Sequence, residues 1–199
     1  MTYSFAADLR ARVVANLAAT PPLPLEPAEY RRAAVGVVLH PDAAGETCFV
    51  LTRRPATLRR HAGQFALPGG RLEDGETAEE AVRREIVEEV GLDLGSDAVL
   101  GQLDDFVSRS GHLITPFVLW TDQSRIVANP EEVAAAYQLP LTDLELPGNP
   151  RLEPLLRFAL ANSTVYAPTA AVLYQFREQA LHGRPTPVAH FEQPRFAWR

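Results

Sequence analysis

Three glutamates, Glu85, Glu88 and Glu89, crowd into one short stretch, and their spacing matters if the chain there is helical. At about 100° per residue, Glu85 and Glu89 lie roughly 40° apart on one helix face, with Glu88 flanking them. Three carboxylates this close repel one another at neutral pH. The arrangement is costly unless a cation offsets it, and hard oxygen donors suit Mg²⁺ or Mn²⁺. The plainer reading is a solvated acidic stripe. The wider pattern argues against that. Gly70 opens the stretch and Glu76 follows after five residues. After seven more comes Arg84-Glu85-Ile86-Val87-Glu88-Glu89-Val90-Gly91-Leu92.

The element that would position these groups is legible. Thr77 and Glu80 have capping-box spacing. Ala78, Ala81, Val82, Ile86 and Val90 recur at helical intervals, and Gly91 sits where a left-handed helix stop belongs. Val82, Ile86 and Val90 occupy the arc beside the glutamates and can pin the helix to a core. Arg84 can pair with a glutamate and hold its geometry. Ahead of the helix, Arg53, Arg54, Arg59, Arg60 and His61 crowd a long connection that also holds Gly63 and Pro68-Gly69-Gly70. A loop that long inside a compact domain is usually functional, and guanidinium groups fork onto phosphate oxygens. Solvated surface arginines are the competing reading, and His61 by itself reads as structural.

The rest of the chain supplies the frame. Residues 3–18 carry Phe5, Leu9, Val13 and Leu17 at helical spacing, as a packing or dimer helix. Pro21, Pro22, Pro24 and Pro27 make a stiff connector. Ala33 to Leu39 reads as a central strand and Cys48 to Arg53 as its return. Val99–Val107 and His112–Thr121 read as two strands joined through Ser108-Arg109-Ser110-Gly111. Pro130-Glu131-Glu132-Val133 reads as the start of a short helix, and Tyr137–Leu141 as a strand. Thr169 to Leu181 reads as a second long helix on the other side of the sheet, started at Pro168. Phe191, Phe196 and Trp198 argue that the tail packs.

The spacing G-x5-E-x7-R-E-I-x-E-E-x-G-L, read from Gly70 to Leu92, resembles the Nudix box at every defined position. The stretch before it resembles the motif of coenzyme A pyrophosphatases: Val50-Leu51-Thr52-Arg53-Arg54, then Arg59, Gly63 and Pro68-Gly69-Gly70. Three positions depart from that motif. Val50 stands for Leu, Pro55 for Ser or Ala, and Leu67 for Phe. Gly111-His112-Leu113-Ile114-Thr115-Pro116-Phe117 is also similar to those enzymes, and residues 130–141 are similar to a region common in Nudix domains. The resemblance covers about residues 31–182.

It implies an α/β Nudix fold, a mixed β-sheet sandwiched between helices. Residues 1–30 would add an N-terminal helix and proline-rich connector, and residues 183–199 a packed tail. It implies metal-dependent hydrolysis of a pyrophosphate bond. The first expectation for substrate is coenzyme A or acyl-CoA, giving 3′,5′-ADP and 4′-(acyl)phosphopantetheine. Glu85, Glu88 and Glu89 would hold Mg²⁺ or Mn²⁺ with a Gly69 backbone oxygen, and Arg84 would support them. Arg54, Arg59, Arg60, His61 and Gly63 would meet the substrate, with Arg59 first and Arg54 second as readers of the 3′-phosphate. Glu131 or Glu132 is a further candidate for the metal site, against a plain helix-start carboxylate.

Two alternatives stay open. One is a Nudix hydrolase of ADP-ribose or of a dinucleoside polyphosphate. The proline that marks the former and the tyrosine that marks the latter are both missing after the box, where Phe106, Val107, Ser108 and Arg109 stand. The other is a noncatalytic nucleotide-binding regulator, and such proteins usually lose box glutamates. The net charge of −6 disfavours nonspecific nucleic-acid binding. All 19 basic residues are arginine, which excludes lysine chemistry. Cys48 is the single cysteine and reads as a buried strand residue. With no membrane-length apolar run and no signal-peptide core, the cytoplasm is the expected location. A small nucleotide is the expected partner, with a homodimer left open.

Overall fold

The computed structural model describes residues 2–25, 29–55 and 63–194. Helix α1 (Ala7–Ala19) is followed by strands β1 (Arg31–Pro41), β2 (Thr47–Arg53), β3 (Phe65–Ala66) and β4 (Gly69–Arg71). Helix α2 (Ala78–Val90) leads to β5 (Val99–Gln102), β6 (Phe106–Val107), β7 (His112–Trp120) and β8 (Ala135–Pro140). A hairpin of β9 (Arg157–Leu160) and β10 (Ser163–Tyr166) precedes α3 (Thr169–Gln175). A π-helical turn, Phe176–Leu181, continues α3. Among the described residues, no helix is long and apolar enough to cross a membrane.

Eight strands form one mixed sheet. β1 runs parallel to β7 along its length, from Arg31 opposite His112 to Leu39 opposite Trp120. β1 and β2 pair only at one end, through Leu39–Pro41 and Thr47–Phe49. They then part, and the chain from Phe65 to Arg71 fills the gap. β3 pairs with Thr52 and Arg53 of β2, while β4 pairs with Ala33, Ala34 and Val35 of β1. This wedge brings the Gly69–Gly70 backbone into the middle of the sheet.

Side chains alternate across a strand, so β1 serves two cores. Val35, Val37 and Leu39 face a large cluster that includes α3 and also Leu9, Val13 and Leu17 of α1. Ala34 and Val38 face a smaller cluster with Val82, Ile86 and Val90 of α2. Gly36 lets α2 come close: a Cβ there would lie 3.0 Å from Ile86 Cδ1 and 2.9 Å from Leu119 Cδ1. The sheet is thus sandwiched between α2 and α3, in the architecture the sequence predicts.

Several boundaries differ from the sequence reading. Helix α1 starts at Ala7, because residues 3–5 bond instead to the β1–β2 turn: Thr47 N–H donates to Tyr3 O at 2.7 Å and Phe5 N–H to Gly45 O at 2.8 Å. Phe5 stacks on Trp120 with centroids 4.1 Å apart. The expected strand 99–107 breaks at Leu103-Asp104-Asp105. There the Asp104 and Asp105 carboxylates accept the Leu23 and Leu25 N–H groups at 2.9 and 3.0 Å, fastening the proline connector. No helix forms at Pro130–Val133. Asn129 O accepts from both Glu132 and Val133 N–H, closing one turn, and Val133 is buried before the chain enters β8. Cys48 is buried, and burial pushes its thiol up to about 11. The tail packs through Val188, which is buried, and through Phe191 edge-on to Tyr174. Phe196 and Trp198 lie outside the described residues.

Candidate active site

Helix α2 begins with the full capping box. Glu80 N–H donates to Thr77 Oγ1 at 3.2 Å, and Thr77 N–H to the Glu80 carboxylate at 2.9 Å. It ends at Gly91 with φ 72°, the left-handed stop. Between these ends, Ala81, Val82, Ile86 and Val90 are buried against the sheet. That packing fixes the rotation of the helix and turns Glu85 and Glu89 toward the β4 wedge.

Glu89 is only 7% exposed. Gly69 N–H approaches its Oε2 at 3.4 Å. Burial, then the neighbouring Glu85 charge, pushes the Glu89 carboxyl up to about 8. The Gly69 N–H and the Arg54 guanidinium pull the other way without prevailing. Glu85 lies against Gly70 so closely that a Cβ on that glycine would sit 2.6 Å from Glu85 Oε2. Its pKa is also raised. Burial is the largest cause and outweighs the adjacent Arg84.

Arg84 is the organising cation. Its Nε and one terminal nitrogen fork onto Glu76 at 2.9 and 3.0 Å. The other terminal nitrogen bonds both Glu85 and Glu88 at 3.0 Å. The terminal nitrogen that meets Glu76 also donates to Arg71 O at 3.0 Å. The bonds from Arg84 hold the Glu76 carboxyl below its ordinary range. The third box glutamate therefore differs from the other two, with the Glu88 side chain 47% exposed at the rim. As they stand, no three acidic, histidine or cysteine side chains among the described residues form a metal-holding group. Arg84 engages Glu85 and Glu88, while the Gly69 N–H meets Glu89.

A carboxylate from outside the helix joins this site. Asn129 N–H donates to Glu89 O at 2.9 Å, Val127 N–H to Val90 O at 3.0 Å, and Ala134 N–H to Arg53 O at 2.8 Å. These bonds dock residues 127–134 between α2 and β2. Glu132 then lies near enough to raise the pKa of both Glu85 and Glu89. Of the two glutamates proposed from sequence, Glu132 is the one whose charge reaches the site, and it arrives on a turn.

The arginine loop is only partly placed. Arg54 lies near Glu89, and its Nε is buried without a hydrogen-bond partner among the described residues. Gly63, at φ 68°, offers its carbonyl to Arg53 Nε at 3.4 Å. Arg59, Arg60 and His61 lie outside the described residues.

The wedge glycine gives a stability prediction. Gly69 has φ 147°, and a Cβ would stand 2.6 Å from Val35 Cα, a backbone atom that cannot swing away. Gly69→Ala should cost more than about 1 kcal/mol from the backbone conformation alone, before the collision is counted. A thermal melt should show Tm lower by at least several degrees. An unchanged Tm would mean that β4 does not pack as described.

Comparison with known proteins agrees with this geometry. The NUDIX domain family model matches residues 30–158. The chain is 42% identical over 98 residues to Nudix hydrolase NudL of Yersinia enterocolitica, itself uncharacterized, covering 48% of this chain and 50% of that protein. It is 38% identical over 127 residues to the NudL of Pectobacterium atrosepticum, covering 61% and 64%. It is 34% identical over 105 residues to Nudix hydrolase 3 of Caenorhabditis elegans, covering 50% and 44%. The chain thus spans about half to two thirds of the length of these relatives. The NUDIX domain of Shewanella oneidensis NrtR, solved with ADP ribose, superposes with TM-score 0.55 at 16% identity over 82% of this chain and 96% of that one. A Nudix-family protein from Enterococcus faecalis gives 0.52 at 16%, covering 77% and 56%. These likenesses speak to fold alone. With a family model matched across most of its length and the box intact on α2, the chain belongs to the Nudix family.

Proposed function

We propose that the chain hydrolyses a phosphoanhydride in a nucleoside diphosphate derivative, with coenzyme A or acyl-CoA as substrate and 3′,5′-ADP and 4′-(acyl)phosphopantetheine as products. One observation carries the reading. A buried carboxylate, Glu89, and a half-buried one, Glu85, stand side by side against the Gly69–Gly70 wedge, with Arg54 and Glu132 near them.

The residues fit a divalent cation. Glu89 is buried beside a second carboxylate, and among the described residues its side chain has only the 3.4 Å Gly69 N–H as a hydrogen-bond partner. Excess negative charge in a half-dry site is what a hard cation offsets. Glu85 and Glu89 would hold Mg²⁺ or Mn²⁺, with Glu88 and the Gly69 carbonyl as further oxygen donors. Once bound, the cation screens the diphosphate charge and lowers the pKa of water.

The protein's own groups do the rest. Arg84 fixes Glu76, Glu85 and Glu88 relative to one another. Arg54 brings positive charge to the same place and can fork onto the diphosphate oxygens. The oxygen of water bonds to one phosphorus, and the bridging oxygen leaves with the other phosphate. Glu85 and Glu89 form a coupled acid pair, so the proton taken from water is shared between them.

The coenzyme A assignment rests on the loop and strand resemblances around residues 50–70 and 111–117. Its test is a substrate panel with Mg²⁺ or Mn²⁺: coenzyme A, an acyl-CoA, ADP-ribose and diadenosine polyphosphates, with products identified by mass. ADP-ribose belongs in the panel because the NrtR domain binds it. Coenzyme A should be cleaved fastest, to 3′,5′-ADP and phosphopantetheine. Faster cleavage of ADP-ribose would replace the substrate, and cleavage of none would leave a binding module.

A further inference from the structure

Strand β4 touches the glutamate site with each of its residues. Gly69 N–H meets Glu89, Gly70 backs the Glu85 carboxylate, and Arg71 O accepts from Arg84. Yet little holds the strand in place. Among the described residues its ladder runs to β1 alone, through Ala33, Ala34 and Val35. Gly69 and Gly70 have no side chain to pack. Arg71 is the one side-chain handle on the strand.

That handle is anchored. By strand alternation the Arg71 side chain leaves β4 on the face away from α2. There Arg71 Nε donates to His112 Nε2 of β7 at 3.2 Å. Ala33 of β1 pairs with Arg71 on one side and with Ile114 on the other, so the contact spans β1. Among the described residues no carboxylate pairs with Arg71. His112 is itself fixed. Guanidinium Nε always carries hydrogen, so His112 accepts at Nε2 and keeps its own proton on Nδ1. Nδ1 donates to Ser110 Oγ at 3.1 Å. Ser108 Oγ accepts from His112 N–H at 3.0 Å, and Ser108 N–H donates to His112 O at 2.8 Å. Ring and backbone are thus both held by the turn before β7.

Arg71 is gripped twice. His112 holds its side chain on one face of the sheet, and Arg84 bonds its carbonyl from the helix. Arg84 in turn bonds Glu76, Glu85 and Glu88. The restraint on the Arg71 side chain therefore passes through its own backbone to the carboxylates. We infer that His112 is a positioning residue for the glutamate site: by anchoring Arg71 it sets where β4 stands against Glu85, Glu89 and Arg84. Resting on the metal-site reading above, this gives the Gly111–Phe117 run a role at the site without contact to substrate.

Amide hydrogen exchange and Mn²⁺ binding, read across a double-mutant cycle of the intact protein, test this. His112→Leu keeps bulk and removes the acceptor. In the metal-free protein it should speed exchange at the amides of residues 69–72 roughly three- to tenfold, the factor expected for loss of one hydrogen bond. Exchange in the distant β9–β10 hairpin should stay as in the wild type. Mn²⁺ affinity, read by calorimetry, should fall by a similar factor. His112→Gln, whose side-chain oxygen replaces the Nε2 acceptor, should restore both. In an Arg71→Met protein, adding His112→Leu should change neither quantity further, because the handle is already gone. Additive effects of the two substitutions, unchanged exchange at residues 69–72, faster exchange in β9–β10 as well, or unchanged Mn²⁺ affinity beside faster exchange would overturn the inference. If the wild type binds no Mn²⁺, the metal-site reading fails, and exchange across the cycle alone decides whether His112 sets β4.

Discussion

Glu85→Gln and Glu89→Gln should each cut turnover by two or more orders of magnitude at saturating Mg²⁺, while leaving the fold intact. The size follows from what is removed. A cation that stabilises a developing phosphate charge is worth several kcal/mol, and each 1.36 kcal/mol is a factor of ten in rate. Glutamine keeps the shape and one acceptor oxygen but no charge. The fold should survive because neither carboxylate is stabilised by its own charge. Burial already pushes both toward their neutral forms. Glu88→Gln should cost much less. Its side chain is 47% exposed and meets Arg84 at the rim. Steady-state kinetics over a metal titration, with a thermal melt of each variant, reads all three. Near-normal turnover for Glu85→Gln and Glu89→Gln, at saturating metal and with unchanged Tm, would remove these glutamates from the chemistry.

The graded effect expected among three glutamates shows where sequence reading stops. Helix α2 is legible because every signal is local: Thr77 and Glu80 at one end, Gly91 at the other, and apolar residues at helical spacing between them. Spacing places Glu85 and Glu89 on one face. It cannot tell that Glu88 falls at the exposed rim, since that depends on how Val82 and Ile86 seat against the sheet. The approach of Glu132 to the site is not legible from spacing. Its position comes from backbone bonds between Asn129 and Glu89 and between Ala134 and Arg53, contacts distant in sequence. Asp104 and Asp105 interrupt a strand that apolar pattern alone runs through, because their partners are amides of the far N-terminal connector. The β9–β10 hairpin had no turn signature. Its left-handed residues are Ala161 and Asn162 at φ 48° and 56°, and alanine is an uncommon occupant of that region.

Metal affinity should be strongly pH-dependent, and Glu89 should be the main source. In the metal-free protein its carboxyl is raised to about 8 from an ordinary value of 4.5. The sign follows from linkage. A raised folded-state value means that the folded protein holds a proton the unfolded chain has released. The stability this confers is fully present below about 4.5 and is lost as pH rises through about 8. Metal-free Tm should therefore fall across that window, and Glu89→Gln, which cannot titrate there, should flatten the fall. Glu85 is raised for the same reason and adds in the same direction, so the pair titrates as a unit. A cation needs the carboxylate, so binding must expel the proton. Affinity should climb by up to about tenfold per pH unit below 8 and level off above it. Calorimetric titration with Mn²⁺ in two buffers of different ionisation heat counts the protons directly. At about pH 6.5 the wild type should release close to one proton per cation, or more if Glu85 contributes, and at about pH 9 almost none. Release of no proton at the lower pH would mean that Glu89 is already ionised there, and that it does not stand buried beside Glu85 as described.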